Sequence, residues 1–400
     1  MASLFYAWEF GAGLGHLGAF LPLGRALRDT GHAVRWTVAQ TAPAARLLAK
    51  EGFTWMQAPV ARESKRAGPP LTYADILLRF GYRDAEDLFG LVVAWRELMQ
   101  LSGTQLVLAD HAPTAVLAAR TLGIPVMLFS NGFTVPPRQR PLPNMRPWAA
   151  LPQAQLVELE DAALASVNTV LGRFAQAPLE ALWKMFDVAE EALITFPELD
   201  HYPNRGPGRY WGSLPNAAIG KAPVWPAGSG KKIFAYLRPE TPHLEAIFAT
   251  LRDIGLPTLA YTPELKENDR QRWQATHLSF VREPVDLALA ARVADLAVTY
   301  ASLATATGFL LAGKPLLLAP FHLEQYLLGQ RVAGMGAGIC LNPEQASGDL
   351  RPVFSMLLDQ PSFTANARAF AEKYAAFDQR RVVGNLVKRI GELCAEPTAR

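Results

Sequence analysis

Residues 298–339, VTYASLATATGFLLAGKPLLLAPFHLEQYLLGQRVAGMGAGI, constrain the fold more than any other stretch of this 400-residue chain. They read as the end of an apolar strand, a turn of small residues, a helix, a Gly313-Lys314-Pro315 break, a second apolar strand over Leu316–Pro320, a polar loop and another helix. Such alternation predicts a parallel sheet covered on both faces. In an open sheet of this kind, ligands bind outside the carboxyl ends of the strands. One strand end here carries Tyr300, Ser302 and Thr305 at a helix start, and the next carries Glu324 and Gln325. Free N–H groups at a helix start suit an anion, and a carboxylate beside an amide suits hydroxyls. Together they fit a phosphate-bearing polyol.

The same rhythm fills both halves of the chain. Strands are expected over Leu4–Trp8, Ala33–Val38, a few residues after Gly52, Leu106–Ala109, Val126–Phe129, Ala192–Phe196 and Arg209–Ser213, with helices between them. A Pro-, Gly- and Ala-rich stretch at 215–232 reads as a linker between a domain 1–214 and a domain 233–400. The second domain repeats the pattern, with strands over Lys232–Leu237, Thr258–Tyr261, Leu278–Val281 and Leu296–Thr299 and a long helical region over 365–393. Two aromatic-rich insertions, 61–100 and 132–190, interrupt the alternation. They are candidates for a pocket lining, with ordinary core packing an equal alternative.

Bulk properties narrow the function. Half the residues are apolar and 10% aromatic, enough for two large cores. The 39 basic and 36 acidic residues nearly balance, and Lys65-Arg66 and Arg138–Arg140 are only small basic clusters, so nucleic acid is not an expected partner. Two cysteines, Cys340 and Cys394, form no disulfide framework and fit a reducing compartment. The opening MASLFYAWEF lacks the marks of a signal peptide, and the most apolar stretch, 296–320, is broken by Gly308, Gly313, Lys314 and Pro315. A cytoplasmic protein without a transmembrane segment is expected. The seven histidines are scattered, with no HExxH or DxD run, so no metal site is expected.

Chemistry concentrates at the first loop, Gly11-Ala12-Gly13-Leu14-Gly15-His16, which directly follows a strand. Its glycines permit unusual φ angles and close approach. A neutral His16 there can take a proton from a hydroxyl, and Asp110, at the end of another strand of the same sheet, can orient it.

Several stretches resemble the GT-B glycosyltransferases, and within them the UDP-glycosyltransferase superfamily of bacterial macrolide and natural-product type. GLGHLGAFLPLGRAL resembles that family's first loop and helix, and LVLADHAPTAVLAARTLGIPVMLFS its strand–Asp–helix–strand unit. ITFPELDHYP with YWGSLP resembles the end of its first domain, and residues 298–339 its donor-binding signature. The resemblance implies two Rossmann-like α/β domains facing each other across a cleft, the last helix packing back toward the first domain. It implies an inverting, metal-independent transfer of a hexosyl group to a hydroxyl of a small acceptor, and the aromatic insertions suggest that this acceptor is apolar or aromatic. The donor would be a nucleoside-diphosphate sugar, UDP or dTDP type, with no other cofactor. His16 and Asp110 would be base and orienter. Tyr300, Ser302, Thr305, Glu324 and Gln325 would hold the donor, and Gly13, Gly15, Phe80, Trp95 and Phe133 would lie on the acceptor side. Because a tyrosine carries no positive charge at Tyr300, Arg238, where the family usually has a small Gly-Ser-like loop, is the candidate to balance the diphosphate, with Arg282 a second.

The chain departs from the family at two donor contacts. Tyr300-Ala301-Ser302 stands where the family has a His-Gly-Gly or His-Cys-Gly turn, and Gly308 stands where plant members carry a ribose-binding Glu. The acid–Gln pair survives as Glu324-Gln325, at the family's spacing from Tyr300 (325 − 300 = 25). Two rival functions stay open: a nucleotide-sugar epimerase, and a non-catalytic sugar- or nucleotide-binding protein.

Overall fold

The computed structural model describes residues 1–12, 14–64, 68–215 and 220–396, which leaves Gly13, Lys65, Arg66 and part of the expected linker outside the described residues. The chain divides into two compact units. The first takes the described residues within Met1–Phe196, Tyr202–Ala217 and Gln379–Arg400, and the second those within Pro197–His201 and Ala218–Asp378.

The first unit is built on six parallel strands: β1 Ser3–Trp8, β2 Ala33–Val38, β3 Trp55–Gln57, β4 Leu106–Asp110, β5 Val126–Ser130 and β6 Glu190–Leu193. Their order is β3-β2-β1-β4-β5-β6. β1 shows why the sheet is central: Leu4, Phe5, Tyr6, Ala7 and Trp8 are all completely buried, as a parallel strand covered on both faces requires. The chain winds outward in one direction from β1 and in the other from β4, so the connections diverge between these two strands and open a crevice at their carboxyl ends. In register, Trp8 lies opposite Asp110.

The second unit repeats the plan with β7 Ile233–Tyr236, β8 Thr258–Tyr261, β9 Leu278–Val281, β10 Leu296–Thr299, β11 Leu316–Leu318 and β12 Gly338–Cys340. Their order is β12-β11-β10-β7-β8-β9, again all parallel. Its divergence point falls between β7 and β10. Ile233, Ala235, Leu296 and Val298 are completely buried beneath the helix Leu244–Ile254, whose Ile247, Phe248 and Leu251 fill the same core.

Three sequence expectations are corrected. The strand placed at Ala192–Phe196 starts two residues earlier, at Glu190 opposite Met127. Arg209–Ser213 makes only a single bridge, Tyr210 to Leu193, because Gly206-Pro207-Gly208 before it and Gly212 at φ +75° keep the segment from extending. The long C-terminal helical region is two helices, Pro361–Lys373 and Gln379–Ala395, which belong to different units. β12 is too short, at three residues, to stand out in the sequence.

Candidate functional site

In the first unit, the divergence point holds His16. β1 ends at Trp8, and His16 is the second residue of the helix Gly15–Asp29. Its Nδ1 lies 2.9 Å from Asp110 Oδ1. Asp110 is 6% exposed as a residue, whereas the His16 side chain keeps 24% of its surface. A carboxylate only accepts hydrogen bonds, so in this contact His16 Nδ1 is the donor, and in the neutral imidazole Nε2 is then the nitrogen with the lone pair. The Trp8 indole stacks on the His16 ring at 5.3 Å between centres, and its own N–H donates to the Phe10 carbonyl at 2.7 Å.

One glycine of the loop is demanded by this geometry. Gly11 has φ +95°, and a Cβ placed on it would stand 2.5 Å from His16 Nε2. Gly15, by contrast, opens a helix and has open space where a Cβ would go, so close approach does not explain it.

The surroundings of His16 are aromatic, with isolated polar atoms. Phe10 packs on the half-buried Phe80 at 4.7 Å, and the His111 ring packs near Phe10, Tyr73 and Phe133. Burial first, and the neighbouring His16 second, push the His111 imidazole down to about 3, so it is neutral. Burial pushes the Glu9 carboxyl up to about 8, against the opposing hydrogen bonds at the start of the helix Pro113–Leu122. Glu9 Oε2 accepts the Thr114 N–H at 2.8 Å there. Glu9 Oε1, Tyr73 Oη and His111 Nε2 are buried without a hydrogen-bond partner. Phe133 is 7% exposed. Trp95 is corrected: it is completely enclosed and packs edge-on against Phe5 at 6.1 Å, a core residue rather than a pocket wall.

In the second unit, a row of rings crosses the carboxyl ends of four neighbouring strands. Tyr261 packs on Tyr236, Tyr236 on Tyr300, Tyr300 on Phe321 and Phe321 on His322, with centre separations of 5.0, 5.1, 5.8 and 4.3 Å. Burial, and then Tyr300 beside it, raise the Tyr236 phenol far above its ordinary value, so it is a neutral hydroxyl. Ala301 sits at φ +64°, a left-handed conformation that favours glycine. Ser302 precedes the helix Leu303–Leu311 and donates to Thr305 Oγ1 at 2.9 Å.

The polar residues expected at this end each have a protein partner. Arg238 lies 3.4 Å from Glu264 and 4.0 Å from Glu240. Arg282 pairs with Glu267 at 2.7 Å, both well exposed. Gln325 Oε1 accepts the Phe321 N–H at 3.0 Å, closing its own loop. Glu324 lies 3.0 Å from Nε2 of His201, whose side chain has no exposed surface. His201, on the short segment Pro197–His201 that belongs with the second unit, was not picked out from sequence, since nothing near it in the chain marks a partner 123 residues away. Among the described residues no group of three or more His, Cys, Asp or Glu could hold a metal ion, and no helix is long and apolar enough to cross a membrane.

The two doubly wound units make this the GT-B fold, and solved structures of similar fold are glycosyltransferases. Spinosyn rhamnosyltransferase SpnG complexed with thymidine diphosphate aligns over 98% of this chain and 100% of its own, with a TM-score of 0.69 at 18% identity. Glycosyltransferase VinC in complex with dTDP aligns over 96% and 99%, with a TM-score of 0.66 at 18% identity. SsfS6 from Streptomyces sp. SF2575, complexed with thymidine diphosphate, aligns over 98% and 100%, with a TM-score of 0.65 at 16% identity. No family model matches the sequence, and no curated protein is significantly similar to it.

Proposed function

We propose that this chain is an inverting glycosyltransferase that moves a hexosyl group from a thymidine- or uridine-diphosphate donor to a hydroxyl of a small, largely apolar acceptor. The observation that carries the reading is the 2.9 Å contact between His16 Nδ1 and Asp110 Oδ1 at the divergence point of the first sheet. It leaves Nε2 as the basic nitrogen. Nε2 takes the acceptor's hydroxyl proton while that oxygen attacks the anomeric carbon. The bond to the diphosphate breaks on the opposite face, its electron pair leaves with the phosphate, and the configuration inverts. Asp110 holds the imidazolium that forms. General-base assistance of this kind is worth about 10²–10⁴-fold.

In this reading the first unit binds the acceptor and the second the donor. Phe10, Phe80 and Phe133 give the acceptor side its apolar surface, and Glu9, Tyr73 and His111 give it polar atoms in need of partners, the usual make-up of a small-molecule site. On the donor side, the start of the helix Leu303–Leu311, Ser302, Thr305 and Arg238 meet the leaving diphosphate without a metal, and Tyr300 adds a donor hydroxyl. Glu264 and Glu240 are mostly exposed, so their pairing with Arg238 is weak enough to yield to phosphate. Glu324 and Gln325 hold sugar hydroxyls, His201 fixing the first. The thymidine diphosphate of the similar structures supports the choice of nucleotide.

The test begins with thermal stability in thymidine, uridine and guanosine diphosphates, since a ligand selective for the folded state raises the melting temperature. A shift with thymidine or uridine diphosphate is expected. Transfer is then followed by diphosphate release in the presence of planar hydroxylated acceptors. His16→Ala should cut it by about 10³-fold with the thermal shift unchanged, and an unchanged rate would remove His16 as the base. A second reading, a GT-B-fold binding protein without transfer, is favoured by the carboxylates around Arg238. No shift with any diphosphate would support it.

A further inference from the structure

We infer that Tyr6 is a positioning residue for His16: its phenol holds the second oxygen of Asp110 so that the first stays aimed at His16 Nδ1. The inference rests on the reading of His16 as base and adds a third member to the pair. Tyr6 Oη lies 2.8 Å from Asp110 Oδ2, on the oxygen that His16 does not use. The contact follows from register. Trp8 lies opposite Asp110 and Tyr6 opposite Leu108, so residues 6 and 8 share the face on which Asp110 projects, and a tyrosine is long enough to span the diagonal.

The phenol must be the donor, because the carboxylate only accepts. Burial and the adjacent Asp110 charge hold the Tyr6 hydroxyl well above its ordinary range, so it keeps its proton. Its ring is fixed by stacking on Phe20 at 4.1 Å and by Trp36 at 4.9 Å. The terminal torsion of an aspartate is soft, so a single hydrogen bond leaves the carboxylate free to rock. Two donors on different oxygens pin it. The chain of contacts therefore runs from a rigid aromatic core through Tyr6 and Asp110 to the imidazole.

Among the described residues, Asp110 from β4 and His111 just after it, whose ring centre is 6.3 Å away, face His16, and Tyr6 reaches the imidazole through Asp110. The test uses the whole protein labelled with ¹⁵N-histidine, His16 being assigned among the seven histidines by its loss in His16→Gln. Tyr6→Phe keeps the ring and removes only the hydroxyl. The carboxylate then shares its charge with one donor instead of two and holds the imidazolium more tightly. The His16 titration midpoint should rise by about 0.5 pH unit or more. With a working acceptor in hand, kcat should fall between about 10- and 100-fold at unchanged KM. In an Asp110→Asn background Tyr6→Phe should change nothing further. A midpoint that stays or falls, or an equal effect in the Asp110→Asn background, would overturn the proposal. If Tyr6→Phe melts, Phe20→Leu, which loosens the phenol without touching the pair, should raise the midpoint by less, and an unmoved midpoint there overturns the proposal too. An active His16→Ala enzyme would remove the base while leaving this coupling standing, so the two failures are distinct.

Discussion

The two sheets have the same strand order, and their divergence points differ in how the polar groups are used. At the first, between β1 and β4, the chemistry-bearing residues are bonded to each other, His16 to Asp110. At the second, between β7 and β10, most are bonded to residues outside that set, Arg238 to Glu264, Glu324 to His201 and Gln325 to the Phe321 backbone, while Ser302 and Thr305 bond to each other. One topology thus carries a directly bonded pair at one divergence point and mostly outward-bonded polar groups at the other; in the proposed transferase, the second set would exchange partners when the donor arrives. Preorganisation matters most where charge develops during reaction, and exchangeable contacts serve where a ligand must enter and leave.

That contrast can be broken or sharpened by mutation. After the loss of His16 itself, the next largest effect is expected at Gly11→Ala, where the added methyl meets His16 Nε2 at 2.5 Å and φ +95° is unfavourable to any side chain. Transfer should drop by about 10²-fold with diphosphate binding unchanged; a near-normal rate would mean that the first site is not rigid. At the second site, Arg238→Ala should weaken thymidine diphosphate by about tenfold and Glu264→Gln should tighten it by about threefold, as calorimetry would show. No gain in Glu264→Gln would mean that Arg238 is as settled as His16.

Glu9 tests what the first site's order costs. Its carboxyl is raised in the folded protein to about 8, so the fold binds a proton that the unfolded chain gives up near its ordinary value of about 4.3. Stability from this group is present below that ordinary value and is lost as pH rises to about 8. Glu9→Gln should therefore melt above the wild type at pH 8.5 by at least about 4 °C more than it does at pH 4.5. A constant gap would remove the buried charge. The smallest effect belongs to Ala301→Gly, which relieves the left-handed φ of +64° and should add about 0.5–1 kcal/mol in a urea titration, the strain relief exceeding glycine's added chain entropy.

The sequence by itself determined the alternation of strand and helix, the two-part organisation, the glycine loop before His16 and the strand end at Asp110. These are local signals: periodicity reports which faces are buried, and glycine and proline report where the chain turns. It did not reveal that Trp95 is enclosed against Phe5, that Arg238 faces Glu264, or that His201 meets Glu324. Nor did it single out Tyr6, whose partner lies 104 residues away. Those facts come from strand register and from which helix covers which face, and only the tertiary structure decides them. A hydrogen bond is made to whatever group packing brings within about 3 Å, and no residue's own neighbourhood in the chain records that choice.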